Sequence, residues 1–177
     1  MKHTLLFLLM ICACTLQATA TGKQPRLTDD ELMTLVQKQT FRYFWDFAHP
    51  ESGLARERSN DRLEIATIGG SGFGVMAIIV GVERGFITRE QGAERLLKIV
   101  EFLNKADSYH GIWAHWMDGA TGKTIPFSRK DDGADLVESA FMFEGLLAAH
   151  QYFTHDNPTE NRIRGLINTP VSYTHLT

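Results

Sequence analysis

Cysteine is nearly absent from this chain of 177 residues: there are two, Cys12 and Cys14, and both fall among the first twenty positions. A chain cut after Ala20 has no thiol left, which excludes disulfides and thiolate chemistry from the mature form. Excess positive charge is missing as well. The formal net charge is -3, and residues 1–20 contribute only Lys2 to the basic side chains, so no basic stripe exists to hold nucleic acid. No apolar run is long enough to span a bilayer. Nucleotide-binding glycine patterns also fail: Gly70, Gly72 and Gly74 miss the dinucleotide spacing, and no glycine precedes Gly122-Lys123-Thr124 where a phosphate loop needs one. His110 and His115 alone make no metal site. No metal and no cofactor is implied.

What is present, 44% hydrophobic and 22% charged residues, suits one soluble domain with a real core. Residues 1–20 read as an export signal: Lys2 and His3 supply the positive start, Thr4 to Ile11 the apolar centre, and Ala18-Thr19-Ala20 the cleavage site. A second reading acylates Cys14 as a lipoprotein anchor. Either places the protein in the periplasm or on the outer membrane of a Gram-negative-type bacterium, and a monomer is expected.

Thr28-Asp29-Asp30-Glu31 is a capping box that should open a helix. Leu32, Leu35, Val36, Tyr43, Phe44 and Phe47 supply its stripe, and His49-Pro50 stops it. Phe41 and Trp45 lie off that stripe, and either pack on a neighbouring helix or face a groove. A polar loop, residues 51–62, follows; Arg56 and Arg58 would gain interest if it folded over the acidic stretch described below. Residues 63–68 are a short apolar run of uncertain type. From Phe73 to Val82 there is no charge, so this second helix should be buried on every side, ending at Arg84-Gly85. Thr88 to Gln91 is another capping box, opening an amphipathic outer helix to about Ala106. Residues 111–117 and 123–127 read as the two strands of one hairpin. A second apolar helix, about 134–153, and a further helix from about Thr159 complete the order.

Residues 128–143, SRKDDGADLVESAFMF, concentrate the chemistry. With a helix start near Gly133 or Ala134, Asp135 and Glu138 project from one face and Asp131 and Asp132 precede the first turn. Carboxylates this close raise one another's pKa, which suits acid/base catalysis. The plain structural alternative is that Asp131 or Asp132 caps the helix, Asp132 being the better cap, while Asp135 and Glu138 complement its dipole. Trp113 and Trp116 are candidate sugar-stacking rings; on one strand they point to opposite sides, so at most one faces a pocket. His115, on the side of Trp113, could bond a hydroxyl.

TFRYFWDFAHP (40–50), SGLARERSN (52–60), IATIGGSGFG (65–74) and KDDGADLVESA (130–140) together resemble the glucoamylase-like bacterial glycoside hydrolases, nearest the branch acting on β-1,2-glucan. The resemblance runs from about Leu27 to Asn168. It implies an all-α fold, an incomplete (α/α)6 toroid of helical hairpins with one small β-hairpin insertion, in agreement with the alternation of amphipathic and apolar helices. It also implies a catalytic trio spaced Asp-x3-Asp-x2-Glu, which falls here on Asp131, Asp135 and Glu138. The domain expectation is a signal at 1–20, the toroid portion at 21–169 and a non-native tail at 170–177 that reads as translated sequencing adapter, with the natural protein continuing past Thr169.

The expected function is therefore hydrolysis of a β-linked glucan, β-1,2-glucan or its oligosaccharides, by carboxylate acid/base catalysis. Glycoside hydrolysis needs one carboxylic acid for the leaving oxygen and one carboxylate for water or carbon. Helical spacing leaves retention and inversion open, and the resemblance favours inversion. The alternatives are a glycan-binding toroid without catalysis and an inactive fragment.

Overall fold

The computed structural model describes residues 26–60 and 64–173. The export segment, Cys14 and residues 174–177 lie outside them. The elements are α1 (Asp29–Trp45), β1 (Ile65–Thr67), α2 (Ile68–Glu83), α3 (Arg89–Leu103), β2 (Ser108–Tyr109), β3 (Ile112–Trp113), β4 (Trp116–Asp118), β5 (Thr124–Ile125), α4 (Leu136–Tyr152) and α5 (Pro158–Tyr173). The chain divides between Leu35 and Val36 into two units, and all packing described below lies within the second.

Both capping boxes form. The Thr28 amide donates to Glu31 Oε2 at 2.8 Å and the Glu31 amide to Thr28 Oγ1 at 3.3 Å; Thr88 and Gln91 repeat the exchange at the head of α3. In the later part of α1 the packing residue is Phe41, which is buried, while Val36 is exposed. The ring of Phe41 sits where a Cβ on Gly81 of α2 would stand and contacts Phe86 and Trp45. Off-stripe aromatics here serve a neighbouring helix. Neighbour geometry, which periodicity does not carry, chose the face.

α2 packs on α4 and α3 on α5. The first pair is close because Gly72 faces the backbone of Phe141 and Met142 and Gly145 faces the backbone of Gly72, where a side chain on either glycine would collide. Around them Ile68, Val75, Ile78, Leu96, Ile99, Met142, Leu146, Phe153, Ile163 and Ile167 are all but sealed from solvent. Each such side chain stabilises the fold by roughly 2 kcal/mol. The expectation of inner helices buried on every side is corrected: Phe73, Met76 and Val80 of α2, and Phe141 and Leu147 of α4, are exposed. A charge-free helix reports apolar character all round, but among the described residues the faces with a partner are those turned toward α1, α3, α5, the adjoining strands and each other.

The β structure is more than one hairpin. β1, β4 and β5 form an antiparallel sheet in the order β1-β4-β5, with Thr67 opposite Trp116 and Met117 opposite Thr124. β2 and β3 form a separate hairpin whose turn places His110 at φ 51 and Gly111 at φ 79, the left-handed pair that a two-residue turn requires. The apolar run of uncertain type became β1. The stretch 111–117 is not one strand, because the chain bends at His115. At the far end, α5 runs through Pro170, which is buried, to Tyr173.

Candidate active site

The helix carrying the acidic motif begins at Leu136, and Asp135 is its N-cap. Asp135 Oδ1 accepts from the amides of Val137 and Glu138 at 2.9 and 3.0 Å, satisfying two of the donors that every helix start leaves open. The cap is therefore Asp135 rather than Asp131 or Asp132. Its own amide donates to Trp113 O at 2.8 Å, and Ala134 bridges Ala114, so α4 starts against the segment that immediately precedes His115. Oδ2 of Asp135 meets His115 Nδ1 at 3.1 Å.

These contacts reverse the expected electrostatics. Burial alone would raise the Asp135 pKa, but the amides of Glu138 and Val137 and the His115 ring outweigh it and hold the carboxyl below its ordinary value. Asp135 is a carboxylate near neutrality. A carboxylate there favours the proton on His115 Nδ1, and in the neutral ring this leaves Nε2 as an acceptor.

Glu138 is committed differently. Its Oε2 accepts from the Gly69 amide at 2.8 Å and from Thr67 Oγ1 at 3.2 Å. Thr67 is the N-cap of α2 and makes no cap bond of its own. Glu138, arriving from α4, caps α2 in its place, next to the positive end of the helix dipole. Gly69 makes this possible, since a Cβ there would stand 2.6 Å from Oε2. Oε1 of Glu138 has no hydrogen-bond partner among the described residues.

The other candidates separate. Asp131 is placed through its backbone, exchanging hydrogen bonds with Ser128 and accepting from Phe127 N; its carboxylate joins neither Asp135 nor Glu138 in any hydrogen bond. Trp113 is buried against Phe143, with its indole donating to Leu103 O. It is core and no longer a substrate contact. Trp116, on a different strand, lies on the site side with Phe127 and His115. Arg56 turns away: its Nε donates to Phe47 O and its guanidinium lies over the Phe47 ring. Arg58 is exposed and pairs with Glu57. Sequence reasoning passed over Glu57, Thr67, Gly69 and Phe127, since an acid in a polar loop, a threonine before glycines and a lone phenylalanine carry no motif. Among the described residues no cluster of His, Asp or Glu is placed to hold a metal. A cleft of about 440 Å³ between the β2–β3 hairpin and the end of α5 includes none of these carboxylates. Around the site, Leu136 and Val137 are 73% and 65% exposed, while Asp135 and Glu138 are half-buried.

No family model matches the chain. Among characterised proteins it is 53% identical over 143 residues to an exo β-1,2-glucooligosaccharide sophorohydrolase (non-reducing end) of Parabacteroides distasonis, covering 80% of this chain and 20% of that protein. An endo-β-1,2-glucanase of Chitinophaga pinensis, solved with sophorotriose and glucose, superposes with a TM-score of 0.80 at 50% identity, over 84% of this chain and 37% of its own. A glucoamylase-like protein of Bacteroides uniformis superposes with a TM-score of 0.83 at 81% identity, over 85% and 37%. The chain thus spans a fifth to little more than a third of these relatives. Over that share it is a homologue of glucoamylase-like proteins and β-1,2-glucan hydrolases, and its mostly helical fold with a small sheet matches part of their (α/α)6 toroid.

Proposed function

We propose that the protein is a glycoside hydrolase acting on β-1,2-glucan or its oligosaccharides. The observation that carries this reading is agreement in both sequence and fold, over at least four-fifths of the chain, with two hydrolases of that glucan. Asp135 and Glu138 are the proposed reacting pair. Asp135, kept ionised, belongs on the carboxylate side of the reaction, where a base draws a proton from water or an anion faces the positive sugar carbon. The proton for the leaving oxygen comes from another group, and Glu138, with Oε1 uncommitted, is our candidate. His115 Nε2 accepts from a sugar hydroxyl. Inversion at the anomeric carbon and export to the periplasm or outer membrane, the latter resting on residues 1–20, belong to the same proposal.

The test is reducing-sugar release from linear β-1,2-glucan, with β-1,3- and β-1,4-glucans alongside, by protein expressed from the complete reading frame at the source locus. Release from the β-1,2 polymer alone is expected. Activity on none of the three, with sophorotriose still bound, would replace catalysis by glycan binding.

A further inference from the structure

The loop between α1 and β1 delivers a carboxylate to the site by a route that its sequence hides. Arg56 bridges Ala66, the Glu57 amide donates to Ile65 O at 2.9 Å, and the Thr67 amide donates to Ala55 O at 3.1 Å. Residues 55–57 therefore run antiparallel beside β1. With Arg56 opposite Ala66, alternation puts Glu57 on the face shared by Thr67 and its partner Trp116. There Glu57 Oε2 accepts from Trp116 Nε1 at 3.0 Å, and Oε1 accepts from Arg58 at 2.9 Å. The indole is 9% exposed and the Glu57 side chain 19%, so this hydrogen bond is substantially shielded and fixes the ring.

The fixed indole backs a ring that is not buried. Phe127 is 48% exposed, with its centroid 4.7 Å from that of Trp116 and 4.4 Å from that of His115. His115 is in turn bonded to Asp135. Two carboxylates thus hold two nitrogen-bearing rings, which together support one exposed apolar ring a single residue away from the proposed reacting group. An exposed phenylalanine supported in this way presents a preformed flat surface, and preformed surfaces bind with little ordering cost. The C–H face of a pyranose is the matching chemistry.

We propose that Phe127, supported by Trp116 and His115, is a pyranose-stacking subsite beside Asp135, and that Glu57 is its positioning residue, acting through the Trp116 indole. This rests on the glucan reading above. Phe127→Ala in protein from the complete reading frame is expected to raise KM for β-1,2-glucan about tenfold with kcat within about twofold, the scale of one aromatic contact. Phe127→Leu should fall between it and the parent. Glu57→Ala should raise KM about threefold, and Glu57→Gln, which keeps an acceptor for the indole, should restore most of that.

The Trp116 indole N–H resonance, assigned with Trp116→Phe, gives a readout that needs no turnover. Sophorotriose should shift it in the parent, and the shift should vanish in Phe127→Ala. A lowered Tm in Glu57→Ala with unchanged KM would reduce Glu57 to a structural role. Unchanged KM in Phe127→Ala, or a resonance indifferent to sophorotriose, would overturn the subsite. If the parent cleaves no glucan yet the resonance responds and Phe127→Ala abolishes the response, the subsite stands and the hydrolase reading falls.

Discussion

Two clusters of charge lie at helix ends in this protein, and they differ in what they leave unused. At the start of α5, Glu160 is 2% exposed and accepts from Arg89 through both oxygens at 2.9 Å, and from the His155 amide at 2.8 Å. The Arg89 guanidinium also donates to Tyr152 O and lies over the Tyr152 and Phe153 rings. Every strong group there has a protein partner. At the start of α4, Asp135 and Glu138 also accept from helix-start amides, but among the described residues His115 Nε2 and Glu138 Oε1 have no hydrogen-bond partner, and Leu136 and Val137 beside them are exposed. Similar residue types make a clamp where the partners are complete and, in the function proposed here, a reactive surface where they are not.

The largest effect should come from the incomplete cluster. Asp135→Asn or Glu138→Gln should each lower kcat/KM on β-1,2-glucan by about 10²- to 10⁴-fold, the usual worth of a positioned acid or base, with a much smaller change in Tm. The complete cluster should respond oppositely. Glu160→Gln should cost roughly 3 kcal/mol of unfolding free energy in urea, because it leaves Arg89 half-buried with its charge uncompensated, while kcat/KM of the folded protein stays unchanged. Activity loss from Glu160→Gln without destabilisation would erase the distinction.

Gly69→Ala sharpens it further. The new methyl would meet Glu138 Oε2 at 2.6 Å, so the carboxylate must leave the α2 amide, and an activity loss of about tenfold with roughly 1 kcal/mol of destabilisation is expected. Loss of stability alone would show that Glu138 serves only as a cap.

The smallest effect is on acid stability. The Asp135 pKa is depressed in the folded state, so its contribution is fully present above the unfolded value of about 3.9 and disappears as pH falls through the lower folded value. The Tm of the parent should therefore drop toward that of Asp135→Asn as pH is lowered from 6 to 3. Glu160, held low because Arg89 and the His155 amide outweigh its burial, should give an acid limb of the same sign, which Glu160→Gln flattens.

Much of the helical frame was legible because it rests on local chemistry. Thr28 with Glu31 and Thr88 with Gln91 close short rings within one turn, and Gly85 at φ 66 ends α2 where its sequence position predicts. Phe41 and the exposed edge at Phe73, Met76 and Val80 were not legible, since which face is covered depends on elements far along the chain. In the proposed site, Asp135 and Glu138 stood out in the sequence by their spacing, but their hydrogen-bond partners did not. Asp135 caps α4 because the backbone before Leu136 turns to extended geometry, and its pKa falls rather than rises because amides and His115 lie closer to it than any other acid.

By itself the sequence determined the helix positions, the carboxylate spacing and, through its resemblance, the glucan chemistry proposed here, because caps, hydrophobic periodicity and i to i+3 relations act over a few residues. Only the tertiary structure decided that Glu138 caps a helix from which it is 69 positions distant, that Trp113 joins the main core cluster while Trp116, also buried, packs beside His115 and Phe127, and that Glu57 reaches Trp116. Those outcomes depend on strand register and on the close approach of α2 to α4, which are set by the shared core and leave no signature in any one segment.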